Sequence, residues 1–124
     1  MGTWGIGNFD NDGAADYVNN LVDRLTAMVT VILTDKTRAA LDEEGEAVVM
    51  PIVGILTLLC EQCGADPPDE GAIVRWRDNY LQIFDNQIDD LAPRGNFKAE
   101  RRTIIAQTFE RLLGCSQVAK PTSE

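Results

Sequence analysis

Residues 12–33 read DGAADYVNNLVDRLTAMVTVIL, and the spacing of the apolar positions in this stretch sets the fold class. Val18, Leu21, Val22, Leu25, Met28, Val29 and Ile32 recur at intervals of three and four, as on one buried face of an α-helix. Alternating patterns, the mark of half-buried strands, are weak along the chain. Asp10, Asn11 and Asp12 stand just ahead of the stripe. Their side-chain oxygens suit the N–H groups that a helix leaves unpaired in its first turn, and Asp16 suits the positive end of its dipole. A first helix over residues 12–33 follows.

The helical period continues downstream. Residues 35–46 are polar, with room for a short helical turn at 37–41. Residues 47–63 are apolar on nearly every side, which suits a helix in the middle of a bundle, and Gly64 suits its C-terminal glycine. Pro51 removes one donor and crowds the preceding turn, so this helix either starts at Met50–Pro51 or kinks there, and the kink is favoured. The apolar run at 47–60, interrupted by Pro51, Gly54 and Thr57, is too short for a membrane span. Ala65-Asp66-Pro67-Pro68 is a turn. A third helix over 69–91 buries Ile73, Trp76, Tyr80, Ile83, Phe84 and Ile88, and Pro93-Arg94-Gly95 breaks it. Asn96 caps a last helix whose buried stripe is Phe97, Ile104, Ile105, Thr108, Phe109 and Leu112, closed by Gly114. Short connections imply antiparallel neighbours. The expected fold is all-α: a single-domain bundle of four to five mostly antiparallel helices over 1–117, with a flexible tail at 118–124.

The chain has 124 residues and a net charge of −9, unevenly spread. Residues 1–70 carry 13 acidic and 3 basic side chains, residues 71–124 carry 7 and 8. Nucleic acid is a poor partner for the first part, because phosphate binding needs lysine and arginine, whereas a basic protein surface is drawn to it. No histidine is present, which removes the commonest general base and zinc ligand together. Cys60, Cys63 and Cys115, an odd count at these spacings, do not look like an extracellular disulfide framework. The N-terminus lacks the basic and apolar regions of a signal peptide, so a reducing cytoplasm is expected.

The opening, MGTWGIGNFDNDGAADY over residues 1–17, is unusual. It resembles the start of a bacterial family catalogued as domain of unknown function 4259, with the pattern M-G-T-W-G-x-G-x-F-D-N-D-x-A-A-D-aromatic. The resemblance implies a helical fold and no activity. On physical grounds Gly5 and Gly7 let the backbone bend, Trp4 and Phe9 fold back over the bundle, and Asp10 and Asp12 cap the next helix, which makes the segment an ordered lid.

Few constellations carry chemistry. Asp10, Asp12 and Asp16 fall at calcium-loop positions one, three and seven, but Ala15 and Leu21 occupy the positions of the required glycine and glutamate. Gly5-x-Gly7 lacks the strand and third glycine of a dinucleotide fingerprint. Cys60 and Cys63 have redox spacing but sit at a helix C-terminus, where the dipole disfavours thiolate, so they read as packed thiols. Asp85 and Asp89 share a helix face beside Asp90, with nothing to complete a catalytic or metal site. Arg94, Lys98, Arg101 and Arg102 surround a helix N-terminus, a poor place for cations without a compensating contact. They suit an anionic ligand, an acidic partner, Asp89 and Asp90 of the same chain, or a second copy.

No catalytic residue, metal or cofactor is therefore expected. The favoured reading is a protein-interaction module that binds a basic partner, as small immunity or antitoxin proteins do. Its candidate docking residues are Asp42, Glu43, Glu44 and Glu46, together with Arg94, Arg101 and Arg102. One alternative is a homo-oligomeric structural protein, such as a homodimer, joined through the apolar central helix or a Trp76–Tyr80 face. The other is an enzyme using carboxylates and a cation.

Overall fold

Asn11 caps the first helix: its Oδ1 accepts from the Ala14 N–H at 2.8 Å, and helix α1 runs over Asp12–Thr34. The computed structural model describes residues 2–119, with side chains described to Gln117. Helix α2 spans Met50–Cys63, α3 Glu70–Gln87 and α4 Phe97–Ala119. Asp69 caps α3, its carboxylate accepting from the Ala72 N–H at 3.2 Å. A 3-10 turn, Ile88–Leu91, extends α3 to the end expected for it. The described residues are all-α, with one isolated bridge between Thr3 and Asn11.

Pro51 occupies the first turn of α2, where its missing N–H matters least. A π-type segment, Leu41–Val49, runs directly into it and breaks at Glu43, whose φ and ψ are −112° and −117°. The wide turns carry the backbone round Gly45, where an added Cβ would lie 2.5 Å from the Ala39 carbonyl oxygen. The helix thus starts at Met50–Pro51, and the kink expected there does not occur; the break lies at Glu43 instead. Gly64 ends α2 with φ 72°, a left-handed conformation that favours glycine.

Sequential helices are antiparallel. Arg77 of α3 reaches Glu110 of α4, and Gln117 reaches back to Glu70. The non-sequential pairs are parallel: Trp76 donates to Thr30, while Arg111 pairs with Glu61 further along α2 and α4. The four helices form a ring in which α1 and α4 each pack on both α2 and α3. Helix α2 therefore does not lie in the middle of the bundle as its composition suggests, and Ile55 and Leu58 on its outer side are about half-exposed. Val29, Ile32, Val53, Leu56, Ile73, Tyr80, Phe84, Ile105, Phe109 and Leu112 are fully buried inside the ring.

Several sequence expectations change. Gly114 does not close α4, which continues to Ala119, because glycine inside a helix costs only about 1 kcal/mol against alanine and neighbouring turns hold it. Val118 and Ala119 therefore belong to α4, while residues 120–124 of the expected tail lie outside the described residues. Phe97 and Ile104 are half-exposed instead of buried, since α4 turns Ile105, Phe109, Leu112, Leu113 and Ser116 inward. Trp76 and Tyr80 are buried between helices, so they form no face for a second copy.

Candidate functional site

The N-terminal segment is built by polar contacts and holds its apolar side chains outward. The backbone folds back on itself: Trp4 N donates to the Asp10 carbonyl at 2.8 Å, and Asp12 N to the Gly2 carbonyl at 2.7 Å. Asp12 is not the helix cap. Its Oδ1 accepts from the Trp4 indole Nε1 at 3.0 Å, while Asp10 Oδ2 accepts from Gly7 N at 2.9 Å. Capping falls to Asn11, which frees the two flanking aspartates to fix the loop. Close approach more than bending favours glycine here: a Cβ on Gly2 would lie 1.6 Å from Asp12 Oδ2 and one on Gly7 2.6 Å from Asp10 Oδ2, so either would push a carboxylate out of the place where it holds the loop.

The expected burial of Trp4 and Phe9 does not occur. Trp4 is 61% exposed, Phe9 41% and Tyr17 61%, and Ile6 is fully exposed. Loop carbonyls and carboxylates leave little apolar surface for the rings to fold onto, and the bundle core is already complete beneath α1. Trp4 and Phe9 border a cleft of about 320 Å³ whose far wall is the end of α2, Gln62, Cys63 and Gly64. Residues 2–23 carry Asp10, Asp12, Asp16 and Asp23 and no lysine or arginine, and none of the four pairs with a cation among the described residues. Asp12 and Asp16 lie one helical turn apart on α1, so they share a face. An exposed indole held in one orientation beside unpaired carboxylates can stack on a cation and pair with it.

The acidic and basic residues singled out elsewhere are brought together with one another. Arg101 grips Glu46 with Nε–Oε1 2.7 Å and Nη2–Oε2 3.1 Å, and the buried Tyr80 hydroxyl donates to the same carboxylate. Burial, reinforced by this bond, pushes the Tyr80 phenol above its ordinary value, and the Glu46 carboxylate holds the Arg101 guanidinium above its own. Glu44 pairs with Arg38 at 2.6 Å, which holds its carboxyl below the usual range. Arg102 grips Asp85 in a bidentate pair at 2.8 Å, holding that carboxyl low, and Lys98 meets Asp89 at 2.9 Å. Asp42 and Glu43 are exposed at the kink, and Arg94 is exposed in the α3–α4 connection; none of the three forms an ion pair among the described residues. The uneven charge of the two halves is thus partly spent inside the fold, where α4 cations meet acids from the π-type segment, α2, α3 and the 3-10 turn.

Sequence reasoning missed the Glu46–Tyr80–Arg101 cluster, whose members stand 34 and 55 residues from Glu46. The available signal was Glu46, the last acid of the 42–46 run, abutting an apolar stretch. Among the described residues, no group of three or more Cys, Asp or Glu side chains is arranged to hold a metal ion. Burial pushes the Cys60 thiol up to about 12 and raises that of Cys115, which makes both poor nucleophiles.

A family model described as Domain of unknown function (DUF4259) matches residues 2–119. No curated protein and no solved structure matches the chain.

Proposed function

The chain belongs to the DUF4259 family, and from its own surface we propose that it is a protein-interaction module whose N-terminal loop and first turns of α1 bind a basic segment of a partner protein. The observation that carries this reading is Trp4: an indole 61% exposed, yet oriented by a 3.0 Å bond from its Nε1 to Asp12. Core packing does not account for a tryptophan in water. A rigid aromatic side chain on a preorganised loop is the usual anchor of a protein interface, because little conformational entropy remains to be lost on binding. Phe9 and Ile6 widen the apolar patch, and Asp10, Asp12 and Asp16 supply charge opposite to arginine or lysine. A cation over an exposed indole contributes about 0.5–1 kcal/mol, more once water is excluded.

The acidic residues first considered for docking, Asp42 and Glu43, add to the field that attracts such a partner. Glu44 and Glu46 are committed to Arg38 and Arg101. The reading includes a reducing cytoplasm, where three free thiols persist.

Tryptophan fluorescence tests this. Trp76 is buried, so a change on titration with an arginine-rich helical peptide reports on Trp4. Saturable quenching that weakens with salt, is absent with an acidic peptide and disappears in Trp4→Phe is the expected result. Equal responses to both peptides, or none, would refute it.

A further inference from the structure

Helix α2 is apolar on almost every side, but the bundle covers only part of it. Pro51, Ile55 and Leu58 face solvent across a groove of about 550 Å³ from Ile104, Thr108 and Arg111 of α4. Ile55, Leu58 and Ile104 are about half-exposed. A second hollow of about 520 Å³ adjoins it at Arg111, between Cys60 and Cys115. The parallel course of α2 and α4 makes this one continuous face. By helical spacing the α4 stripe reaches from Phe97, also half-exposed, to Cys115. That is about 27 Å along the axis at 1.5 Å per residue. Two helices side by side are roughly 20 Å wide, giving a footprint of roughly 500 Å² and roughly 1,000 Å² across two copies, the lower edge of specific interfaces.

We infer that a second copy of this chain covers the α2–α4 groove in a two-fold contact. Charge selects this occupant over a basic partner. Among the described residues that line it, the groove holds one cation and one anion, Arg111 and Glu61, already paired at 2.6 Å. A basic segment gains no net attraction there, whereas two chains of charge −9 meet where their mutual repulsion is small. A two-fold contact repeats the same patch on both sides, so it needs a self-complementary one. Arg111, 62% exposed at its side chain, can reach Glu61 of the other copy as well as its own. Gly54 offers no side chain at the groove, and no atom lies within 4 Å of where its Cβ would stand, so a helix of the second copy can approach closely. This contact is separate from the Trp4 surface.

Sedimentation velocity of the full chain, from low micromolar to submillimolar concentration, tests it. The expected result is a monomer–dimer equilibrium with a micromolar midpoint. Gly54→Gln and Ile104→Glu should each weaken dimerisation at least tenfold. Gly54→Gln meets open space and replaces a poor helix former, so its thermal midpoint should rise and misfolding cannot mimic the loss. Trp4→Phe should leave the equilibrium unchanged, which separates this contact from peptide binding. Monomer at every concentration, or a dimer equally strong in both groove variants, would overturn the inference. So would co-flotation with neutral phosphatidylcholine vesicles that Gly54→Gln abolishes, because lipid would then be the occupant.

Discussion

Removing the carboxylate of Glu46 should destabilise the fold far more than removing any other acid of the ion pairs. In Glu46→Ala the Tyr80 hydroxyl, on a residue with no exposed surface, loses its acceptor, and an unsatisfied buried donor costs about 1–3 kcal/mol. Arg101, with 24% of its side chain exposed, loses a two-pronged partner at 2.7 and 3.1 Å. Its partial access to water limits that loss to about 1 kcal/mol. The total is about 3 kcal/mol, which in a domain of this size lowers the thermal midpoint by roughly 9–15 °C. Asp85→Ala also breaks a bidentate pair, but both partners are nearly half-exposed, and solvent screening leaves under about 1 kcal/mol. Glu46→Gln, which retains an acceptor oxygen, should fall between the two. Urea denaturation of these variants, with Tyr80→Phe and the Glu46→Ala/Tyr80→Phe double variant, completes a cycle whose coupling should exceed about 1 kcal/mol. A Glu46→Ala cost no larger than that of Asp85→Ala, or a coupling near zero, would refute the argument that burial concentrates the stabilisation here.

Gly2→Ala, whose Cβ would overlap the Asp12 carboxylate, should free Trp4 and abolish peptide-dependent quenching while the unfolding free energy of the bundle in urea stays within about 0.5 kcal/mol of wild type, the range of surface changes. Gly45→Ala should lower that free energy by more than about 1–2 kcal/mol, roughly the cost of strain where backbone meets backbone, because its Cβ would press on the Ala39 and Ala40 carbonyls. The low Asp85 carboxyl gives a pH signature. Its stabilisation is complete above the unfolded aspartate value, about 4, and is lost as pH falls through the lower folded value, so wild type and Asp85→Asn should converge only in strong acid. Iodoacetamide at mildly alkaline pH should label Cys60 and Cys115 slowly in the folded chain and rapidly in urea, read by peptide mass mapping.

The helices were legible because their information is local. The three-and-four spacing of Val18, Val22, Val29 and Ile32, the cap oxygens of Asp10, Asn11 and Asp12 and the glycine at Gly64 act within a few residues of themselves, so the sequence by itself determined an all-α bundle and most of its helix ends. It also determined the antiparallel run of successive helices, because the connections are short. Ion-pair partners, by contrast, come from segments tens of residues apart, and spacing says nothing about which will meet. Only the tertiary structure joined Glu46 to Tyr80 and Arg101, divided the α4 cations among four acidic partners, and set α2 parallel to α4 with an open groove between them. The Trp4 loop reads differently in three dimensions for the same reason. Its residue types suit both a buried anchor and an exposed one, and the choice lay with the apolar surface left over once α1, α2 and α3 had packed, a quantity that no local pattern records.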